Sequence, residues 1–468
     1  MPLSAEESRL ADAFHAAGQG HVLRHAESLA PAARDAFLAQ LAEVDLALVA
    51  RLVAGGNEAK TDLSKLAPAP CVALGTAPAA ARAAGESLLR AGKVAAFTVA
   101  GGQGTRLGWK GPKGTYPATC VTGRPLFRVF AEQIAAAERR YGRAIPWYIM
   151  TSPLNDGDTR AFFRDNNWFG RNPADTFLFP QGTMPSVTFD GKLILESKGA
   201  LAVNPDGHGG ALRAIHASGA LEDMQARGIE QVSYFQVDNP LVRIADPVFL
   251  GLHAVAGAMS SGEMSSKMVA KRDAAEKVGV FCDIGGKTGV VEYSDMPAEL
   301  TNSTDASGRL RFNAGSIAIH AISVRFLERL TAGDFALPFH RAKKKVPYWC
   351  DAQGKTAEPA EPNAIKFEAF VFDALAFAAK SLVMETARVE EFAPIKNASG
   401  DDSPASSHQI QSNRNGGWLE RNGVKIPRRA NGDVDARIEI LSETALEADD
   451  LADAELPREI AAGSEVVI

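Results

Sequence analysis

The chain has 468 residues, 46% hydrophobic and 23% charged, an ordinary globular composition but too long for one core, so two or three domains are expected. Fifty basic against fifty-six acidic residues leave a net charge of -6, which argues against a broad nucleic-acid or anionic-membrane surface but permits a small basic pocket for phosphates. The opening MPLSAEESRLADAFHAAG lacks the basic start and apolar run of a secretory leader, and no stretch approaches the roughly 18 apolar residues of a membrane span. Cys71, Cys120, Cys282 and Cys350 lie far apart without paired spacing, so free thiols in a soluble, cytoplasmic protein are expected.

Residues 5 to about 53 read as helices: Leu10, Phe14, Leu23 and Leu29 fall near helical spacing, and Phe37, Leu38, Leu41, Val44, Leu48 and Val49 continue the pattern. A proline-containing connector (66–80) and a short helix around Glu86 to Ala91 lead into VAAFTVAGG (94–102). That apolar run ending in glycines reads as a buried parallel strand feeding a loop. PWYIMTS (146–152) and VSYFQVDN (232–239) read as further strands, with helices predicted over Leu126 to Arg139 and Ala211 to Arg227. Such alternation predicts an α/β domain with a mainly parallel sheet, whose ligands collect beyond the carboxyl ends of the strands. GGQG and VDN both sit at such ends and are expected to share a cleft.

VGVFCDIGGKTGVVEYSD (278–295) reads as a hairpin, and Lys343, Lys344 and Lys345 as a solvated basic run near a predicted helix end. After Asn397 the composition turns loop-like (GDDSPASSHQ, QSNRNGG), then gives VKIP, DARIEIL and EVVI. The expected organisation is an N-terminal helical region (1–85), a central α/β domain (86–397) and a small, β-leaning C-terminal domain (398–468).

AGGQGTRLGWKGPKG (100–114) is the most informative segment. Its glycines would let backbone N–H groups approach a nucleotide, and Arg106 and Lys113 add fixed positive charge for phosphate oxygens. Leu107 occupies the third glycine position of a dinucleotide fingerprint, and no GK[ST] ends the loop as in a P-loop. The residues alone leave two readings, a phosphate cradle and a tight structural turn.

The segment resembles the nucleotide loop of the sugar-nucleotide pyrophosphorylases, notably the eukaryotic-type UDP-N-acetylhexosamine and UDP-glucose enzymes. IPWYIMTS, FPQGTMPSVTFDGKLILESK, NPDGHGGALRA, QVDNPLVRIADP, VGVF with VVEYSD, FNAGSIAIH, PNAIKFEAFVFDAL and FAPIKNA follow in family order across roughly 95 to 400. The resemblance implies a GT-A-like, Rossmann-related central domain and a reaction in which UTP and a hexose 1-phosphate give a UDP-sugar and pyrophosphate. The attacking phosphate oxygen is ionised near neutral pH, its second pKa being about 6, so no general base is needed. The demand is for cations and in-line positioning.

By the family pattern, Lys113 contacts the UTP phosphates and stabilises the transition state, and Arg106 binds the leaving pyrophosphate. Lys396, in FAPIKNA, reaches the phosphates from the opposite wall. Asp238, in QVDN, carries a magnesium ion bridging phosphate oxygens. Ala100, Gly101, Gly102 and Gly104 form the nucleotide loop, with Gln181 and the backbone near Gly101, Gly102 and Gly207 reading uracil. Gly279, Glu292, Asn313, Phe370 and Phe372 match positions that touch the sugar. Each keeps a plainer reading: turn lysine, capping aspartate, polar loop glutamine, or core aromatic.

His208, in NPDGHGG, departs from the asparagine usual in N-acetylhexosamine enzymes and matches the GHG element of UDP-glucose and broad UDP-sugar enzymes. Its ring is bulkier than an amide and can carry charge, which would favour the sugar phosphate. The other blocks look more like the acetamido-sugar branch. N-acetylglucosamine 1-phosphate is thus the leading acceptor, with glucose or galactose 1-phosphate, or broad UDP-sugar activity, as the alternative. A catalytically silent UDP-sugar sensor is the remaining one.

Overall fold

The apolar run VAAFTV folds as strand β1 (Val94–Val99), with five of its six residues buried, as a strand covered on both faces requires. The computed structural model describes residues 5–55, 63–255, 257, 259–333 and 337–468. The strands used below are β1, β2 (Trp147–Thr151), β3 (Thr176–Pro180), β4 (Gln231–Gln236), β5 (Met264–Ala270), β6 (Val280–Ile284), β7 (Lys287–Val291), β8 (Ala314–Ser323) and β9 (Val383–Glu385). All belong to one eleven-stranded sheet. From β4 through β1 and β2 to β3 the strands are parallel. On the other side of β4 comes antiparallel β8, then β5, β9 and an edge strand at Cys71–Val72.

This sheet belongs to one of two compact units, formed by Thr61–Pro180, Ala214–Phe335 and Ala374–Ile468. Its core packs Phe127, Phe130 and Ile134 of helix α1 (Leu126–Tyr141) with Trp147, Ile149, Phe163 and Phe235. The indole N–H of Trp147 is satisfied inside by Thr98 Oγ1 at 2.8 Å. The expected hairpin is β6–β7, and it joins the main sheet through Val280 opposite Gly315 of β8.

The expected β-leaning character of the C-terminal segment is corrected: its largest element is an eighteen-residue helix, α2 (Pro404–Arg421). GDDSPASSHQ and QSNRNGG hold its start, its cap and its body. Ser403 and Ser406 form a reciprocal capping box and Pro404 takes the first turn, where a missing N–H costs nothing. The strands beside it, Arg437–Glu439 and Glu465–Val467, form a short parallel pair. Trp418, Leu419, Val434, Ile438 and Leu451 make a separate small core there.

The other unit is formed by Met1–Lys60, Gln181–Arg213 and Ala336–Asp373. It contains the expected N-terminal helices, Ala5–Ala16, Pro31–Ala42 and Leu46–Val53, and a three-stranded antiparallel sheet of Phe339–Lys344, Ala364–Ala369 and Val187–Thr188. Buried Gln19 ties helices to sheet by donating to Gly191 O and accepting from Leu193 N–H, both at 2.9 Å. Lys343 and Lys344 are exposed on a strand rather than near a helix end. The helix expected over Ala211 to Arg227 is two, Gly210–Ala217 and Ala220–Ala226, broken at Gly219 with φ +79°. Among the described residues no helix is long and apolar enough to cross a membrane.

Candidate active site

β1 is followed by buried Ala100, and the glycine loop turns back on itself immediately beyond it. Gly104 N–H donates to Gly111 O and Lys113 N–H to Gly102 O, each at 3.0 Å, so the loop is a closed hairpin and not a loose connector. Single helical turns at Thr105–Leu107 and Lys113–Thr115 complete it. A Cβ on Gly104 would lie 2.7 Å from Trp109 Cβ, and one on Gly114 2.1 Å from the Phe127 ring. Those two glycines are required by packing. Gly102 is different: it is exposed, and a Cβ there would meet nothing within 4 Å. The fold does not need a glycine at that position, whereas a ligand approaching the backbone would.

Sequence reasoning missed Asn155, which holds the loop from below. It is fully buried, and its side-chain amide donates to Ala100 O at 3.0 Å and Gly102 O at 3.3 Å while its Oδ1 accepts from Ser152 N–H at 2.8 Å. The available signal was a polar cluster, TSPLND, directly after an apolar strand. Arg106 is exposed, with no hydrogen bond or ion pair among the described residues.

GGQG and VDN, expected to share a cleft, lie side by side at the ends of β1 and β4. Lys113 Nζ lies 3.8 Å from Asp238 Oδ2, with the side chains only 16% and 12% exposed. Asp238 follows β4, whose register with β1 brings VDN level with the glycine loop. Lys396, distant in sequence, reaches the same place through its backbone: Ile395 N–H donates to Asp238 O at 2.8 Å. Its ammonium lies 3.7 Å from Asp402 Oδ2 and 5.5 Å from the centre of the Phe392 ring. Asp402 was also missed; with φ +55° it folds back so that its carbonyl accepts from the N–H groups of Lys396 and Asn397. Among the described residues no group of three or more His, Cys, Asp or Glu side chains could hold a metal ion.

The structure also brings together Gly279 and Glu292. A Cβ on Gly279 would lie 3.2 Å from Glu292 Oε1, and Gly279 O accepts from Ser316 N–H at 2.8 Å. Asn313 stands at the start of β8, its carbonyl accepting from Lys271 and Gly315 N–H groups at 2.9 Å.

The remaining residues cluster in the other unit. His208 stacks on Phe370 (ring centres 5.2 Å apart) and tilts against Phe372 (5.7 Å), and its Nδ1 accepts from Val371 N–H at 3.1 Å. That contact leaves the proton on Nε2, which is free to donate. Burial, and then the neighbouring His340, push the imidazole down to about 4. The charge that the ring could carry is thus disfavoured near neutral pH. Gly207, at φ +85°, has its Cα so close to the next strand that a Cβ would lie 2.4 Å from Ala369 O. Gln181 is buried. Beside it sits Asp206, missed in the sequence: it is 2% exposed, its Oδ1 has no hydrogen-bond partner among the described residues, and burial, opposed by Arg213, pushes its carboxyl up to about 7.

Residues 57–416 match the family model described as UTP–glucose-1-phosphate uridylyltransferase. Among curated proteins, the human UDP-N-acetylhexosamine pyrophosphorylase-like protein 1 is 39% identical, covering 90% of this chain and 87% of its own. The UDP-N-acetylglucosamine pyrophosphorylase of Saccharomyces cerevisiae is 37% identical over 75% of each chain. Among solved structures, the uridine diphosphate N-acetylglucosamine pyrophosphorylase of Trypanosoma brucei superposes with a TM-score of 0.80, covering 100% of this chain and 99% of that one; at 24% identity this is a likeness of fold.

Proposed function

The chain belongs to the UTP–glucose-1-phosphate uridylyltransferase family, and from that premise we propose that it transfers the uridylyl group of UTP to a hexose 1-phosphate, N-acetylglucosamine 1-phosphate foremost, releasing pyrophosphate and a UDP-sugar. The observation that carries this reading is the convergence of Lys113 and the Lys396 segment on Asp238, beneath a glycine backbone whose open side the fold leaves free.

Asp238 fits a magnesium ion held mainly by substrate, since this ion commonly takes one or two carboxylates, substrate phosphates and several waters. When bound, the ion would withdraw negative charge from the phosphate oxygens. The remaining work falls to the chain. Lys113 presents an ammonium to the triphosphate, and Arg106, exposed on its loop, binds the leaving pyrophosphate. Lys396 adds a second cation once it turns from Asp402, a partly exposed pair that costs little to break. The acceptor phosphate arrives already ionised, so catalysis is charge stabilisation and alignment. Gln181 offers an amide donor and acceptor to a pyrimidine edge, and Glu292 and Asn313 offer hydrogen-bonding groups to sugar hydroxyls.

The second reading, a plain hexose acceptor, rests on His208. With its ring neutral, charge attraction to the sugar phosphate no longer supports that reading; ring bulk near the sugar does. Cytoplasmic location is part of the proposal, tested by imaging the tagged chain. The biochemical test incubates the protein with UTP, magnesium and each of N-acetylglucosamine, glucose and galactose 1-phosphate, then resolves the UDP-sugars. The acetamido product should form fastest. Binding of UDP-sugar without turnover of any acceptor would favour the silent sensor.

A further inference from the structure

Lys267 lies in the middle of β5, a strand whose interior faces sheet and helix, and its side chain has no exposed surface. Its ammonium meets Asp246 Oδ2 at 2.6 Å and both oxygens of Glu391, at 2.7 and 2.6 Å. The ring of Phe249 lies 5.2 Å from it. Burial alone would raise the Asp246 carboxyl, but Lys267 and Arg243 hold it well below the usual carboxylate range, so the cluster is ionic.

Buried ion clusters are poor stabilisers, because desolvation cancels most of the attraction and an apolar core of equal volume often serves as well. What a cluster of this kind supplies is direction, since one ammonium with fixed acceptors pins two chain segments to one point. Asp246 follows Asp238 by eight residues and caps its helix by accepting from Val248 N–H at 3.0 Å. Glu391 precedes Lys396 by five and also accepts from Thr386 Oγ1 at 2.9 Å. From Glu391 onward the chain is laced to the end of β4. Asn239 donates to Glu391 O at 2.6 Å, Ala393 N–H donates to Asn239 Oδ1 at 3.1 Å, and Ile395 N–H donates to Asp238 O at 2.8 Å. Lys396 is the next residue.

We propose that Lys267 is a positioning residue: through Glu391 it sets where Lys396 stands relative to Asp238 and Lys113, without touching substrate. The inference rests on the uridylyl-transfer reading, which supplies the role of Lys396. A residue that acts through Lys396 loses its effect once Lys396 is gone.

The test is a double-mutant cycle read by pyrophosphate release, with UTP affinity measured by calorimetry. Glu391→Gln is the first variant, because it keeps the shape and leaves Lys267 paired with Asp246. Lys267→Met is the second, made alone and with Glu391→Gln so that Asp246 faces Arg243 and no ammonium remains. Each enters the wild-type and Lys396→Ala backgrounds, and thermal melts confirm folding. In wild type we expect kcat to fall about tenfold for Glu391→Gln and further for the paired variant. In Lys396→Ala the same changes should cost less than about threefold. Equal fold-losses in both backgrounds, or a full-rate enzyme that merely melts earlier, would make the cluster a core element only and overturn the proposal. An inactive wild type would instead overturn the functional reading, and the calorimetric cycle would then decide the positioning role alone.

Discussion

Substituting alanine for Gly102 and, separately, for Gly104 divides binding from folding within three residues. At Gly104 the new methyl would lie 2.7 Å from Trp109 Cβ and 2.8 Å from Cδ1. Trp109 cannot swing clear easily, because its Nε1 donates to Thr115 Oγ1 at 2.9 Å and its ring packs edge-on against Tyr116 at 5.5 Å. Overpacking of this kind costs about 1–3 kcal/mol, a fall of a few degrees in Tm. At Gly102 the methyl meets nothing within 4 Å and the backbone is not left-handed, so the fold tolerates it. Its Tm should stay within about 1 °C of wild type, alanine if anything restricting the unfolded chain. UTP affinity should fall by roughly ten- to a hundredfold, or about 1.4–2.8 kcal/mol, because on the proposed function the methyl would stand where phosphate or base meets backbone. Circular dichroism melts and UTP calorimetry read both effects. A Gly102→Ala protein with wild-type affinity, or one melting as low as Gly104→Ala, would refute the assignment of that open backbone to the nucleotide.

Other outcomes follow from the second cluster. Asp206 is raised from 3.8 to about 7 by burial, so between those values the folded state holds a proton that the unfolded state has released. Its contribution to stability is complete below about 4 and lost as pH rises through about 7, so Asp206→Asn should flatten that slope in urea melts; an unchanged slope would contradict the assignment. His208, lowered to about 4, should keep the Nε2–H tautomer and show no NMR titration from pH 8 to 5, whereas a midpoint near 6.5 would contradict its half-buried, stacked position. His208→Asn should shift kcat/KM toward the acetamido sugar by about 1–3 kcal/mol. An unchanged ratio would move specificity to Glu292, Asn313 and the Phe370/Phe372 pair.

What the sequence made legible follows from how local each signal is. β1, β2 and β4 are short apolar runs at strand length, and their parallel pairing makes VDN and GGQG neighbours without further information. Lys396 was found through FAPIKNA, since nothing local distinguishes a lysine there. Helix α2 was not visible because its polar residues are satisfied at long range: Gln411 donates to Ala118 O and Asn415 to Ile438 O, each at 2.8 Å. Read locally, the same residues look like loop. Asn155, Asp206 and Lys267 were missed for a similar reason. Each is a polar residue that the fold buries, and only tertiary neighbours give it a task.

The central claim is that Lys113 and Asp238 act together on UTP, and steady-state kinetics of the wild type, Lys113→Ala and Asp238→Asn test it most directly. Pyrophosphate release should be magnesium-dependent in the wild type, with turnover abolished by a chelator and restored by added metal. Lys113→Ala should lose roughly two to three orders of magnitude in turnover, the scale of one preorganised charge, with its fold intact. Asp238→Asn should lose at least as much and respond weakly to added magnesium. Activity of either variant within a few-fold of wild type, or wild-type turnover persisting in excess chelator, would contradict the account.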